Sequence, residues 1–236
     1  VNLPDDLPES VRQLARPRLA LRTERLSPAD LVVGVWGGSG LVPLPAGSIR
    51  SPRPPTHRIG VDCPWLAANG FGVRGCLSVY AAALEVAAVN DPHRTFADAP
   101  TDGAPLFGRE EASWPEEEAL AAYLTADELR AFAASGLDEY LGFARQANPL
   151  YDGGGGVAAV LGGWHTNWPD GPPQLPRLEE LNERIDRAGG PGLMPAGSTY
   201  RCEPYRLLLW TLRDAEPWFE VWGDGAAELH AIGRVT

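Results

Sequence analysis

His165 stands in Trp164-His165-Thr166-Asn167-Trp168, an imidazole placed between two indoles. An imidazole with aromatic walls can pass a proton to or from a small molecule near neutral pH. Two carboxylates could serve it. Asp224 lies in Trp222-Gly223-Asp224-Gly225, and Glu203 follows Cys202. Brought together in one pocket, His165, Asp224 and Glu203 would make the acid–base set of a hydrolase or an isomerase, with Trp164 and Trp222 as walls. Each residue also has a plainer reading. His165 fits a hydrogen-bonded loop histidine, and Asp224 fits an Asx-type turn that pins a hairpin.

The other reactive types do not gather. His57, His93, His165 and His230 show no His-Glu-x-x-His spacing, and no Cys/His cluster has zinc spacing. No metal and no cofactor are expected. Cys63, Cys76 and Cys202 are scattered and odd in number, which is not a disulfide framework. No histidine beside Cys63 or Cys76 would lower a thiol pKa, so both read as small buried hydrophobes. Gly153 to Gly156 precede a strand pattern and lack a following Lys-Ser/Thr, so they are not a phosphate-binding loop. Ser39 in Gly37-Gly38-Ser39-Gly40 lacks the strand–turn–helix setting of a serine nucleophile.

Tryptophan is the second resource. Eight occur in 236 residues, and Trp36, Trp164, Trp168, Trp210, Trp218 and Trp222 fall near loops and strand ends. Tryptophan anchors both cores and contact surfaces. Trp36, Trp164, Trp168 and Trp222 are the candidate ligand- or partner-binding set.

A formal net charge of −11 repels phosphate backbones and anionic membrane surfaces. It steers basic partners inward. A basic protein partner is therefore expected, and a nucleic acid or a membrane is not. No apolar run approaches the roughly 18 residues of a membrane span. The opening Val1-Asn2-Leu3-Pro4-Asp5-Asp6 has neither a basic nor an apolar signal region. With unpaired cysteines, this points to the cytoplasm.

These residues need a scaffold rich in turns, since the chain holds 27 glycines and 23 prolines. Pro8 with Val11, Leu14 and Ala15 predicts a helix over 8–16, ended by Pro17. Strands are predicted at Leu19–Thr23, Leu31–Trp36 and Cys76–Tyr80. Residues 47–75 read as a long surface connection, and Ala81–Val89 as a continuation of the strand or a helix. Two capping boxes, Ser113-Trp114-Pro115-Glu116 and Thr125-Ala126-Asp127-Glu128, open a helical insertion over 113–148. Val157–Leu161 is a short buried strand, and Leu178, Leu181 and Ile185 predict a further helix. The tail reads as three strands, Tyr205–Leu212, Trp218–Trp222 and Ala226–Val235, with Gly223-Asp224-Gly225 at a turn. Grouped helices and grouped strands favour an α+β fold with mostly antiparallel sheets. Trp36-Gly37-Gly38 and Gly162-Gly163-Trp164 echo one another and hint at two related half-sheets.

The tail also carries a resemblance. Leu207-Leu208-Leu209 followed by Trp222-Gly223-Asp224 resembles the ending of the YwqG-like family of bacterial proteins. Arg12 to Leu21, Gly37-Gly38 with Pro43-Leu44-Pro45, Gly75 to Tyr80 with Leu84-Glu85-Val86, and Leu161-Gly162-Gly163-Trp164 are similar to further family segments. The family's Gln-Ile-Asp after the central strand is replaced by Ala81-Ala82-Ala83. The Gln-x-Asp after the triple leucine is replaced by Trp210-Thr211-Leu212, and the Leu-Tyr-Phe after Trp-Gly-Asp by Glu228-Leu229-His230. The resemblance implies one domain over 1–236 with an α+β fold. It implies no reaction and no cofactor. Some family members are encoded beside secreted toxins, which implies an immunity-type, partner-binding role.

Overall fold

The computed structural model describes residues 7–83, 85–98, 102–115, 120, 123–147, 156–164, 206–211, 218–223 and 228–234. The chain divides into two compact units. A helical unit takes in Val1–Arg16, Ala112–Asp152 and Trp164–Glu203, and a sheet unit takes in Pro17–Glu111, Gly153–Gly163 and Pro204–Thr236. The main helices are α1 (Glu9–Arg12), α2 (Pro64–Ala68), α3 (Ala126–Ser135) and α4 (Leu137–Gln146). The strands are β1 (Arg16–Arg22), β2 (Leu31–Trp36), β3 (Thr56–Asp62), β4 (Cys76–Ala82), β5 (Glu85–Asp91), β6 (Ala104–Ser113), β7 (Val157–Gly162), β8 (Arg206–Thr211), β9 (Trp218–Gly223) and β10 (Leu229–Arg234).

The expected α+β fold is what forms, with the strands in one antiparallel ten-stranded sheet of order β10-β9-β8-β7-β1-β6-β2-β3-β4-β5. Its end strands, β5 and β10, lie against each other, so the sheet is nearly barrel-shaped. The core is the barrel interior. Leu19 and Leu21 of β1, Ile59 and Val61 of β3, Leu77 and Val79 of β4, and Phe219 and Val221 of β9 all point into it at strand spacing. Fully burying each such side chain is worth about 1.5–3 kcal/mol.

The strand order contains a repeat. β1 leads the meander β2–β5, and β6 leads the meander β7–β10. In the sheet each meander takes the other's leading strand: β6 lies beside β2, β1 beside β7, and β1 and β6 meet at the centre. Irregularities fall at equivalent joints, between Val32 and Gly34 against β6 and between Leu21 and Arg22 against β7. A second pair falls between His57 and Ile59 in β3 and between Leu207 and Leu209 in β8. Gly37-Gly38 follow β2 and Gly162-Gly163 close β7, and all four have positive φ. The two glycine motifs therefore leave equivalent strands of the two meanders.

Residues 47–75 are a correction. They contain β3 and α2, not only a surface connection. Gly60 in β3 is needed because a Cβ there would run into the Leu41 side chain. Ala81–Val89 is likewise neither a straight continuation nor a helix. The chain turns at Ala83, whose φ of 53° is unusual for a residue with a Cβ, and returns as β5. The strand prediction at Leu19–Thr23 extends back to Arg16, so Pro17 sits inside β1.

The helical unit has its own core of Val11, Leu120, Phe132, Tyr140 and Phe143. Thr125 and Glu128 form the predicted capping box. The Glu128 amide donates to Thr125 Oγ1 at 3.2 Å, and the Thr125 amide donates to Glu128 Oε2 at 2.8 Å. The partner expected to share a capping box with Ser113, Glu116, lies outside the described residues. Ser113 closes β6, and its hydroxyl accepts from the Trp164 amide at 2.8 Å. The helix predicted around Leu178–Ile185 lies outside the described residues.

Candidate functional site

Of the residues singled out for chemistry, His165, Glu203, Asp224 and Trp168 lie outside the described residues. The other three tryptophans occupy different settings. Trp36, at the end of β2, is half-buried against the barrel core. Trp164 belongs to the helical unit and is only 4% exposed. Its Nε1 donates to the Leu14 carbonyl at 2.7 Å, the Arg16 guanidinium lies 3.5 Å from its ring centre, and Tyr123 meets it edge-on at 5.1 Å. Arg16 also donates to the Tyr123 hydroxyl at 3.2 Å. Trp222 is 3% exposed, and its Nε1 donates to Glu220 Oε2 at 3.0 Å.

Glu220 was not among the sequence candidates, yet it is fully buried. Phe219 and Val221 point into the barrel, so Glu220 and Trp222 face outward. Trp210 stands directly opposite Glu220, and His230 directly opposite Trp222. The alternation in Trp218-Phe219-Glu220-Val221-Trp222 was the signal that Glu220 shares a face with tryptophan.

The loop after β2 gathers a serine, a histidine and an aspartate. The Ser39 amide donates to Asp102 Oδ1 at 3.1 Å, and the Ser39 hydroxyl donates to Asp102 Oδ2. His57 Nδ1 lies 2.6 Å from the Gly37 carbonyl, to which it donates. Buried Ser78 Oγ accepts from the amides of Leu41 (3.0 Å) and Val42 (2.9 Å), and the Tyr80 hydroxyl donates to the Val42 carbonyl at 2.7 Å. Gly40, with φ of 88°, leaves room for the Tyr80 hydroxyl, which a Cβ would strike.

These are triad residue types without triad wiring. A serine nucleophile needs its hydroxyl on the imidazole and the imidazole on the carboxylate. Here Ser39 bonds the carboxylate directly, and His57 bonds a backbone carbonyl. His57 Nε2 is buried without a hydrogen-bond partner among the described residues. Burial holds its imidazole below the usual histidine range, although the Gly37 and Ile59 backbone groups and the Asp102 charge pull the other way. The hydrogen bonds from Ser39 hold the Asp102 carboxyl below its usual range. The arrangement pins a loop and offers no activated nucleophile.

The exposed apolar surface lies elsewhere. Leu31 is 68% exposed, Leu26 54% and Val32 44%. The turn that leads into β2 is tightly built. The Asp30 carboxylate accepts from the amides of Leu26 (3.0 Å) and Ser27 (2.8 Å), and from Arg109 Nε at 3.1 Å. Arg25 donates to the Asp30 carbonyl at 3.0 Å, and its guanidinium lies over the Phe107 ring. β3 pairs only with Gly34–Trp36 of β2, so Leu31–Val33 pair with β6 on one side alone. Leu31 and Val32 are consecutive in β2 and project to opposite faces, so what is exposed is a partly unpaired strand edge with apolar side chains on either side, a place suited to association. The sequence signal was Leu-Val-Val at the start of β2, read there only as strand propensity.

Among the described residues no three His, Cys, Asp or Glu side chains gather into a metal-binding group. No described helix is long and apolar enough to cross a membrane. Compared with family models, curated proteins and solved structures, the chain gives no significant match.

Proposed function

We propose that this chain works in the cytoplasm by binding a basic protein and not by catalysis, as an immunity-type inhibitor of the kind its YwqG-like segments imply. The observation that carries the reading is the exposed apolar edge at the start of β2, where Leu31 and Val32 follow a turn bearing Leu26 that Asp30, Arg109 and Arg25 hold in place. A backbone already fixed at the contact loses little entropy when a partner covers it, which favours affinity. The net charge of −11 supplies attraction toward a basic partner. Trp164 and Trp222 are buried, so the contact is assigned to the leucine–valine surface and not to these indoles.

The competing reading is a small-molecule hydrolase or isomerase built on His165, Asp224 and Glu203. It requires those groups to converge, and no observation among the described residues favours it. The test is capture of partners by the tagged chain from its own cell's lysate and from the products of neighbouring genes, run beside Leu31→Arg. The expected result is one stoichiometric basic protein, retained by the native chain and lost from the variant. Equal capture by both chains, or no partner at all, defeats the proposal.

A further inference from the structure

A second feature of the sheet unit is independent of that surface. Between the end of β3, the start of α2 and the loop after β5 lies an open cavity of about 490 Å³. That is within the range of roughly 300–1,000 Å³ typical of small-molecule sites. Its polar lining is Asp62, Arg74, His93, Arg94 and Thr95. Its apolar lining is Pro64, Ala67, Pro92, Phe96 and Ala97. In a chain with eleven excess negative charges, this lining sets two arginines against one carboxyl.

The walls are fixed by the backbone around them. The Asn90 side-chain amide donates to the carbonyls of Arg74 (2.7 Å) and Cys76 (2.8 Å), which fixes the backbone that leads from Arg74 into β4. The His93 amide donates to Asp91 Oδ1 at 2.9 Å, and the Cys76 thiol donates to the Arg94 carbonyl at 3.6 Å. Gly75, with φ of 70°, lets the Asp91–Pro92 backbone approach so closely that a Cβ would collide with it. Two arginines therefore stand on a tied framework around one cavity. The Arg74 side chain is exposed, and its guanidinium has no hydrogen bond or ion pair among the described residues.

We infer that this cavity binds a small organic oxyanion, with the charged head on Arg74, His93 and Arg94 and a compact apolar body against Ala67, Pro92 and Phe96. Guanidinium groups meet carboxylate and phosphate through paired, charge-assisted hydrogen bonds. The shared chemistry is the oxyanion, carried by phosphate esters and by carboxylic acids alike. The Asp62 carboxyl faces the same space and limits how much negative charge the cavity accepts. Its charge thus gives the site an electrostatic signature of opposite sign to that of Arg74.

Isothermal titration of the full chain with inorganic phosphate and, separately, with acetate, at constant ionic strength made up with chloride, tests this. Saturable binding of one probe at millimolar concentrations or below is expected, and the tighter probe identifies the head group. Arg74→Gln should weaken that binding about tenfold, the effect of losing one charge-assisted hydrogen bond. Asp62→Asn should tighten it. Both positions are at least partly exposed, and each variant's unliganded melting temperature checks that it is folded. No saturable binding of either probe, or affinities unchanged in both variants, overturns the inference.

Discussion

Replacing Ser78 with alanine should destabilise the sheet unit far more than the loss of one oxygen from a strand usually does. Ser78 is fully buried in β4, and its Oγ is the acceptor for two backbone donors of the Gly37–Pro45 loop, the amides of Leu41 and Val42. Alanine leaves both N–H groups buried. Each buried group left without a partner costs about 1–3 kcal/mol. The expected loss is therefore about 2–6 kcal/mol, toward the low end if water enters as the loop lifts. Tyr80→Phe removes the hydroxyl that donates to the Val42 carbonyl at 2.7 Å and, more weakly, to the Ser39 carbonyl at 3.5 Å, and should cost about 1 kcal/mol. Because both side chains hold Val42, the double variant should lose less than the two single losses added together. Urea unfolding followed by tryptophan fluorescence and by circular dichroism measures all three. A Ser78→Ala loss below about 0.5 kcal/mol, small beside the penalty for even one unsatisfied group, would refute the argument that this serine anchors the loop.

Three further outcomes follow from the same packing. Burial holds His57 below the usual histidine range, so on acidification the unfolded chain takes up a proton that the folded chain refuses. Stability should be full above that range and fall below it, and His57→Gln should flatten this slope in denaturation curves measured across pH; a slope that survives the substitution sinks the assignment. Burial pushes the Asp62 carboxyl up, and the Cys63 amide offsets this only in part, so the ionised form is disfavoured on folding. Asp62→Asn should therefore stabilise the chain at neutral pH, with the gain shrinking as pH falls through the raised value and vanishing below the ordinary carboxylate range; a loss at neutral pH contradicts it. Arg16→Lys should cost the helical unit roughly 1–2 kcal/mol, because an ammonium cannot both stack on Trp164 and reach Tyr123, and near-UV circular dichroism during unfolding should show it.

The elements legible in the sequence are those whose apolar residues recur without interruption. Leu31–Trp36 forms β2 with the predicted ends, and the tail forms β8, β9 and β10 within a few residues of the predicted limits. The capping pair Thr125 and Glu128 is local chemistry and appears as read. β3 was hidden because its evidence is long-range. Gly60 breaks the apolar run, and its reason is Leu41, nineteen positions earlier in the chain. β5 was hidden behind Ala83, which takes a turn conformation that its own side chain does not announce. β6 carries Arg109, Glu110 and Glu111 amid short apolar stretches. Its register is set by β2 and by the bond from Arg109 to Asp30, neither visible along the chain. The swapped strand order could not be read from the glycine echo, which marks equivalent turns but not which strands pair. At the candidate sites the sequence favoured indoles. Two of them serve packing among the described residues, while the exposed leucine and valine side chains look, in one dimension, like ordinary core.

The central claim is that the exposed edge at the start of β2, with Leu26, Leu31 and Val32, is where another protein sits. Hydrogen exchange of the full chain, alone and saturated with its captured partner, reads this amide by amide. The account predicts slowed exchange concentrated at Leu26–Val33 and the facing part of β6, and an affinity at least about thirtyfold weaker for Leu31→Arg, the usual effect of removing an anchor side chain from the centre of an interface. Unchanged exchange across Leu26–Val33 in a chain that holds its partner at full occupancy would contradict it.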